Sequence, residues 1–82
     1  MGELKFPQYR KYKNGLSYFE IKSDLHFLEY KLNGDQIELY DIQAKILPDR
    51  NYVQDMLYDY QDYWEAIDAQ SLEAFLKLHR FS

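Results

Sequence analysis

The sequence predicts one small α+β domain over residues 1–82, with a mainly antiparallel sheet of four to five strands built from two β-hairpins. Two C-terminal helices are expected to pack on one face of this sheet, in the order β-β-β-β-α-β-α. Two Asn-Gly pairs, at 14–15 and 33–34, interrupt alternating apolar and polar residues, which is the pattern of hairpins. After Pro48 the apolar spacing becomes helical. Nine Tyr, five Phe and one Trp supply large side chains for the thin core of so short a chain.

The first hairpin is predicted over residues 8–22, with Asn14-Gly15 as a type I′ turn. This turn places Arg10 opposite Phe19 and Gln8 opposite Ile21. The residues then divide between two sides of the hairpin. Tyr12, Phe19 and Ile21 share the side expected to face the core. The opposite side, expected to face water, holds Tyr9, Lys11, Lys13, Tyr18 and Glu20.

The second hairpin is predicted around Asn33-Gly34, which pairs Tyr30 with Ile37 on an apolar side. Residues 24–30 are compatible with either a helical turn or a strand. From Tyr40 onwards the apolar residues change sides, which predicts a β-bulge near residues 39–40 or a strand that changes neighbour.

The helices follow Pro48. The first helix begins near Asp49, carries one apolar stripe and ends at residues 61–62. That stripe consists of Val53, Met56, Leu57 and Tyr60. A short strand is expected over residues 63–67, and Asp68 is the expected N-cap of the last helix. The stripe of this second helix consists of Leu72, Phe75, Leu76 and His79.

The motifs of common catalytic and cofactor sites are missing from the sequence. The chain has no cysteine, and its two histidines do not have the spacing of a metal site, so we expect no metal and no cofactor. The serines lie in none of the usual nucleophile motifs, and two of the three glycines are used by turns, which leaves no phosphate-binding loop. We therefore predict that the protein is not an enzyme. No stretch has the pattern of a signal peptide or membrane span, and we expect a cytoplasmic protein.

The acidic helix and its tyrosines form the predicted site. Residues 49–68 have a net charge of −5, whereas residues 1–22 have a net charge of +3. Tyrosine is a favoured anchor at protein interfaces, and an acidic surround adds selectivity for a basic partner. We expect a protein-interaction domain that acts as an adaptor, an inhibitor or a self-associating module such as a homodimer. The predicted partner surface consists of Tyr52, Asp55, Tyr58, Asp59, Asp62 and Tyr63. Two other interpretations of its carboxylates are a solvated helix face and acid–base catalysis, which requires a closed pocket.

An alternative site lies on the first hairpin, where basic and aromatic residues alternate. Such a surface binds single-stranded nucleic acid by stacking and by attraction to phosphate. Its residues are Tyr9, Arg10, Lys11, Lys13 and Tyr18. Nucleic acid is the less favoured partner because the isoelectric point is about 5.0 and no RNP-like motif is present. Lysines that protect an edge strand explain the same residues.

Overall fold

A computed structural model describes residues 5–81, with the side chains of residues 5–79. The predicted domain also includes residues 1–4 and 82, which lie outside this range. The predicted order of four strands, a helix, a strand and a helix is confirmed, and a two-residue strand follows it. The strands and helices are β1 Gln8–Tyr12, β2 Ser17–Ser23, β3 His26–Asn33, β4 Gln36–Gln43, α1 Leu47–Tyr58, β5 Trp64–Ile67, α2 Ala69–Leu78 and β6 Arg80–Phe81.

All strands belong to one sheet, in the order β5-β1-β2-β3-β4-β6. The first five strands in the chain pair in antiparallel fashion, which confirms the predicted sheet. β6 is parallel to β4 and pairs with it only at Gln36 and Ile37. β4 and β5 therefore lie near opposite edges of the sheet.

The first hairpin has the predicted pairing but a different turn. Gln8 lies opposite Ile21 and Arg10 lies opposite Phe19, as expected. The type I′ turn is wrong, because within residues 5–81 only glycines have a positive φ, and a type I′ turn would require one at Asn14 as well. The Asn14 side chain instead accepts a hydrogen bond from the Leu16 N–H (2.9 Å), and the Gly15 N–H donates to the Tyr12 carbonyl (2.9 Å). Gly15 alone takes the left-handed conformation, at φ 75°.

The turn of the second hairpin lies one residue later than predicted, so each residue of β3 pairs two positions further along β4. Tyr30 pairs with Leu39, and Ile37 pairs with Leu32. The two loop residues are Gly34 and Asp35, so that Gly34, at φ 69°, occupies the first loop position, where a type II′ turn requires a positive φ. Because the shift is an even number of residues, every side chain keeps its predicted face.

The two helices lie on opposite faces of the sheet, so the prediction that both pack on one face is wrong. Val53, Met56 and Leu57 of α1 pack in one core cluster with residues of β2 and β3, among them Phe19 and Phe27. The side chains of α2 pack in a second cluster on the other face, and the rings of Phe75 and Tyr18 stack with their centroids 3.9 Å apart. Both faces of the central strands are apolar, and each requires its own cover. α2 therefore packs on the side of the first hairpin that was expected to face water.

This two-sided burial also explains the change of side along β4. Pairing with β3 is uninterrupted from Gln36 to Gln43, so the predicted bulge near residues 39–40 is absent. Ile37 belongs to the cluster under α2, whereas Ile42 packs against the cluster under α1. The strand supplies apolar residues to both faces without changing its register. The irregularity in the sheet lies instead in β2, between Ile21 and Ser23.

Of residues 24–30, which were left open between helix and strand, 26–30 belong to β3 and 24–25 lie in the turn before it. A tight turn joins β2 to β3, in which the Ser23 hydroxyl accepts a hydrogen bond from the Leu25 N–H (3.1 Å), and β3 begins at His26. The helices begin largely as expected. Pro48 lies in the first turn of α1, where its missing N–H costs nothing, and Asp68 caps α2 by accepting from the Ser71 N–H at 2.9 Å.

Candidate functional site

The predicted partner surface lies where α1 ends and the chain turns into β5. Asp55 and Tyr58 belong to the last turns of α1, and the N–H of Asp59 closes the helix by donating to the Asp55 carbonyl (3.0 Å). The Tyr60 carbonyl then accepts from the N–H groups of both Tyr63 (3.1 Å) and Trp64 (2.8 Å). These bonds fix the connection, so the side chains of residues 58–63 project from a defined backbone.

Five of the six predicted residues share this solvent-exposed region. Tyr58 is 63% exposed and Tyr63 is 67% exposed, which is far more than the half-buried tyrosines elsewhere in the domain. Asp55, Asp59 and Asp62 are exposed beside them. We name these five residues the acidic tyrosine surface.

Tyr52 is the exception, because its ring is half-buried against the core. It packs edge-on against Phe19 and Phe27, and its hydroxyl bonds to that of Tyr12. Burial, and secondarily the hydrogen bond with Tyr12, raises the pKa of Tyr52 above its ordinary value. Tyr52 therefore does not share the exposure of the other five predicted residues. The helical stripe itself places Tyr52 next to Val53 and Met56, on the flank of the core.

The carboxylates of the acidic tyrosine surface have no cationic partner in the part of the chain that the structure describes. The ion pairs found there join Lys11 to Glu65 (3.9 Å) and His26 to Asp41 (2.7 Å). Asp55 and Asp59 are four residues apart on the helix, where like charges repel. Asp59 also lies at the C-cap, where the helix dipole disfavours an anion, and α1 has no basic residue in its last turn. Each effect costs a few tenths of a kcal/mol.

A cleft of about 360 Å³ opens beside Tyr63, between the first hairpin loop and the start of β5. Its lining consists of Tyr12, Lys13, Asn14, Asp62 and Tyr63. The Lys13 N–H donates to the Tyr63 carbonyl (3.1 Å), which ties the two loops together. Behind the cleft, the Trp64 ring stacks on Tyr12 and meets Tyr63 edge-on. The acidic tyrosine surface thus borders a preformed concavity with aromatic walls.

The alternative nucleic-acid surface is divided between the two faces of the sheet. Tyr9 and Tyr18 pack in the cluster under α2, and Tyr18 stacks on Phe75. Lys11 is half-buried and bonded to Glu65. Arg10 lies on the opposite face, beneath α1, and Lys13 is exposed in the loop. The five residues do not form one basic aromatic platform.

Arg10 has a structural role that the sequence reasoning missed. It is only 4% exposed, and its Nε donates to the Met56 carbonyl near the end of α1 (2.8 Å). Its Nη1 donates to the Tyr9 carbonyl (2.8 Å), and the guanidinium lies 4.3 Å from the centroid of the Tyr60 ring. Burial lowers the pKa of Arg10. The pairing of Arg10 with Phe19 already placed it on the core side, so the signal was present in the predicted hairpin.

Neither a metal cluster nor a membrane-spanning helix is found in residues 5–81. Within residues 5–81, no group of three or more His, Asp and Glu side chains is arranged to hold a metal ion. Neither helix of the described chain has the length and apolar character needed to cross a membrane. No family model, curated protein or solved structure matches the chain.

Proposed function

We propose that this chain is a non-enzymatic protein-interaction domain, and that it binds a basic partner through the acidic tyrosine surface. The observation that carries the proposal is the exposure of Tyr58 and Tyr63 beside three carboxylates that have no cationic partner in the described chain. The partner is another protein, for which this chain acts as an adaptor or an inhibitor, or it is the basic part of a second copy of the chain.

The tyrosines support binding because most other tyrosines of the domain are used differently. Tyr12, Tyr18 and Tyr52 half-bury their rings against the core, which is the ordinary use of tyrosine in a small domain. Tyr58 and Tyr63 leave most of their surface in water and gain little from folding. Tyrosine presents a large contact area at a low entropic cost, and this is why it is enriched among the residues that dominate binding energy.

The three carboxylates indicate that the partner is positively charged. Three exposed aspartates repel one another, and the fold gains nothing from Asp59 at the negative end of α1. A cationic segment would be attracted by the same aspartates that repel one another, and this attraction would also raise the association rate. All three carboxylates are exposed, whereas acid–base catalysis uses a carboxyl group held in a pocket that excludes water.

The test compares partner capture and solution mass for two double variants. Tyr58→Ala with Asp59→Lys removes an anchor and reverses a charge on the proposed surface. Glu73→Lys with Leu78→Ala makes changes of a similar kind on exposed positions of α2, across the sheet. We expect the proteins captured from extracts of the native cells, or the dimer mass, to be lost only with the first variant. Equal capture and equal mass for both variants and the wild type would overturn the proposal.

A further inference from the structure

β4 has an open outer edge. On its inner side it pairs with β3 at all eight residues, but on its outer side it pairs with β6 only at Gln36 and Ile37. Residues 38–43 have no outer strand partner within residues 5–81. An edge of this kind is a template for another extended chain, because its backbone groups are already held in the β conformation.

The pairing shows which backbone groups face outwards. Asn33 and Gln36 flank the two-residue loop, so the N–H and C=O of Gln36 point towards β3. At the other end of the strand, the Ala44 N–H points the same way and donates to the Leu25 carbonyl (2.7 Å). Successive residues of a strand point their backbone groups in opposite directions. The N–H and C=O groups of residues 39, 41 and 43 therefore face away from β3.

This edge has few of the features that prevent unwanted pairing. Residues 38–43 contain no lysine and no proline, and no bulge interrupts their register. The other end of the sheet offers only the four residues of β5. β4 is therefore the longer and less protected of the two exposed strands.

Side chains beside the open edge are apolar and acidic. Four of the ten large hydrophobic residues exposed in the described chain fall within residues 39–47, which is a concentration around this edge. They are Leu39, Tyr40, Ile46 and Leu47. Glu38 and Asp41 are the only charged residues of β4. Hydrogen bonds from Tyr40 and then Asn33 lower the pKa of Glu38, so its side chain remains an anion.

We propose that the open edge of β4 binds an extended segment of a partner protein, in which apolar residues alternate with lysine or arginine. The apolar side chains would pack against Tyr40 and Ile42 on the α1 face. On the α2 face a cation would face Asp41, whose carboxylate also lies 2.7 Å from His26 Nε2. A second copy of β4 fits less well, because an antiparallel copy centred on the outward-facing Asp41 would set the two Asp41 carboxylates against each other. This inference is independent of the acidic tyrosine surface and concerns a different part of the sheet.

The probe is the peptide acetyl-Thr-Val-Lys-Val-Lys-Val-Thr-amide, titrated into the full chain and followed by amide NMR and hydrogen exchange. We expect slower exchange at the N–H groups of Leu39, Asp41 and Gln43, which gain hydrogen bonds. Exchange at Tyr40 and Ile42 should change less, because their N–H groups already bond to β3. The same peptide with N-methylated backbone should not bind. An absence of slower exchange at residues 39, 41 and 43, with peptide at millimolar concentration, would overturn the proposal.

Three variants of Asp41 separate backbone pairing from charge. Asp41→Pro removes an outward N–H without breaking the ladder to β3 and should weaken peptide binding about tenfold, whereas Asp41→Asn keeps the N–H and should weaken it less. Asp41→Lys should bind the same peptide with glutamate in place of lysine more tightly than it binds the lysine peptide. If Asp41→Pro fails to fold, the N-methylated peptide decides the same question. Equal binding by Asp41→Pro and wild type, or a β4-mediated dimer that the peptide does not compete with, would refute the proposal.

Discussion

Replacing Arg10 by methionine should strongly destabilise the domain. The substitution removes a buried guanidinium that bonds to the carbonyls of Met56 and Tyr9 and lies over the ring of Tyr60. Hydrogen bonds from a charged group contribute about 1.5–3 kcal/mol each, and a desolvated cation–π contact adds about 0.5–2 kcal/mol. The cost of burying the charge, which also lowers the pKa of Arg10, offsets part of this gain.

The net loss should be about 2–4 kcal/mol, because methionine keeps most of the volume but leaves the Met56 carbonyl without its donor. A domain of this size has a total stability of about 4–12 kcal/mol, so the loss is a large share of it. The stability of Arg10→Lys should lie between those of the wild type and Arg10→Met, since lysine keeps the charge but loses the second donor nitrogen.

Urea unfolding followed by tryptophan fluorescence measures this difference, because Trp64 lies in the same core cluster as Met56. The order of free energies should be wild type, then Arg10→Lys, then Arg10→Met. A loss below about 0.5 kcal/mol for Arg10→Met, which is the size of an ordinary surface substitution, would refute this account of the buried arginine.

Three further predictions follow from single side chains. The raised pKa of Tyr52 contributes stability that is present below its ordinary value of 10.0 and is lost as the pH rises above it, so Tyr52→Phe should show a flatter fall in stability in alkaline unfolding curves. The hydrogen bond from Ser71 lowers the pKa of Asp68, so Asp68→Ala should melt at a lower temperature at neutral pH, and this difference should close as the pH falls through the depressed pKa. Asp59→Asn should raise the free energy of unfolding by about 0.3–1 kcal/mol in urea titrations, because it removes an anion from the C-terminus of α1. Equal curves for wild type and variant would contradict each of these.

The hairpins and helices could be predicted because local chemistry determines them. The asparagine and glycine of the first turn set the pairing of Gln8 with Ile21, and Asp68 marks the start of α2. The number of covered faces is not a local property. The alternation along β4 indicates a strand, but it does not say whether the face of Ile37 or that of Ile42 meets the core, and here each face contributes to a core cluster.

The candidate site was predicted in part, for a similar reason. The helical stripe separates the exposed Asp55, Tyr58 and Asp59 from the core. Tyr52 lies at the border of that stripe. Distant residues fix it inwards, through the hydroxyl of Tyr12, forty residues earlier, and the rings of Phe19 and Phe27. Long-range contacts of this kind leave no mark in the local spacing of residues. The basic character of Arg10 suggested a surface position, although its pairing with Phe19 indicated the core.

The most direct test of the proposed function is a binding measurement over a series of salt concentrations. It compares the affinity of a captured partner for the wild-type chain with its affinity for Tyr58→Ala with Asp59→Lys. Wild-type binding should weaken as the salt concentration rises, because the acidic tyrosine surface attracts a basic partner. Tyr58→Ala with Asp59→Lys should bind at least tenfold more weakly at low salt, while Glu73→Lys with Leu78→Ala should bind like the wild type. Equal affinity of all three proteins, with no dependence on salt, would contradict the account.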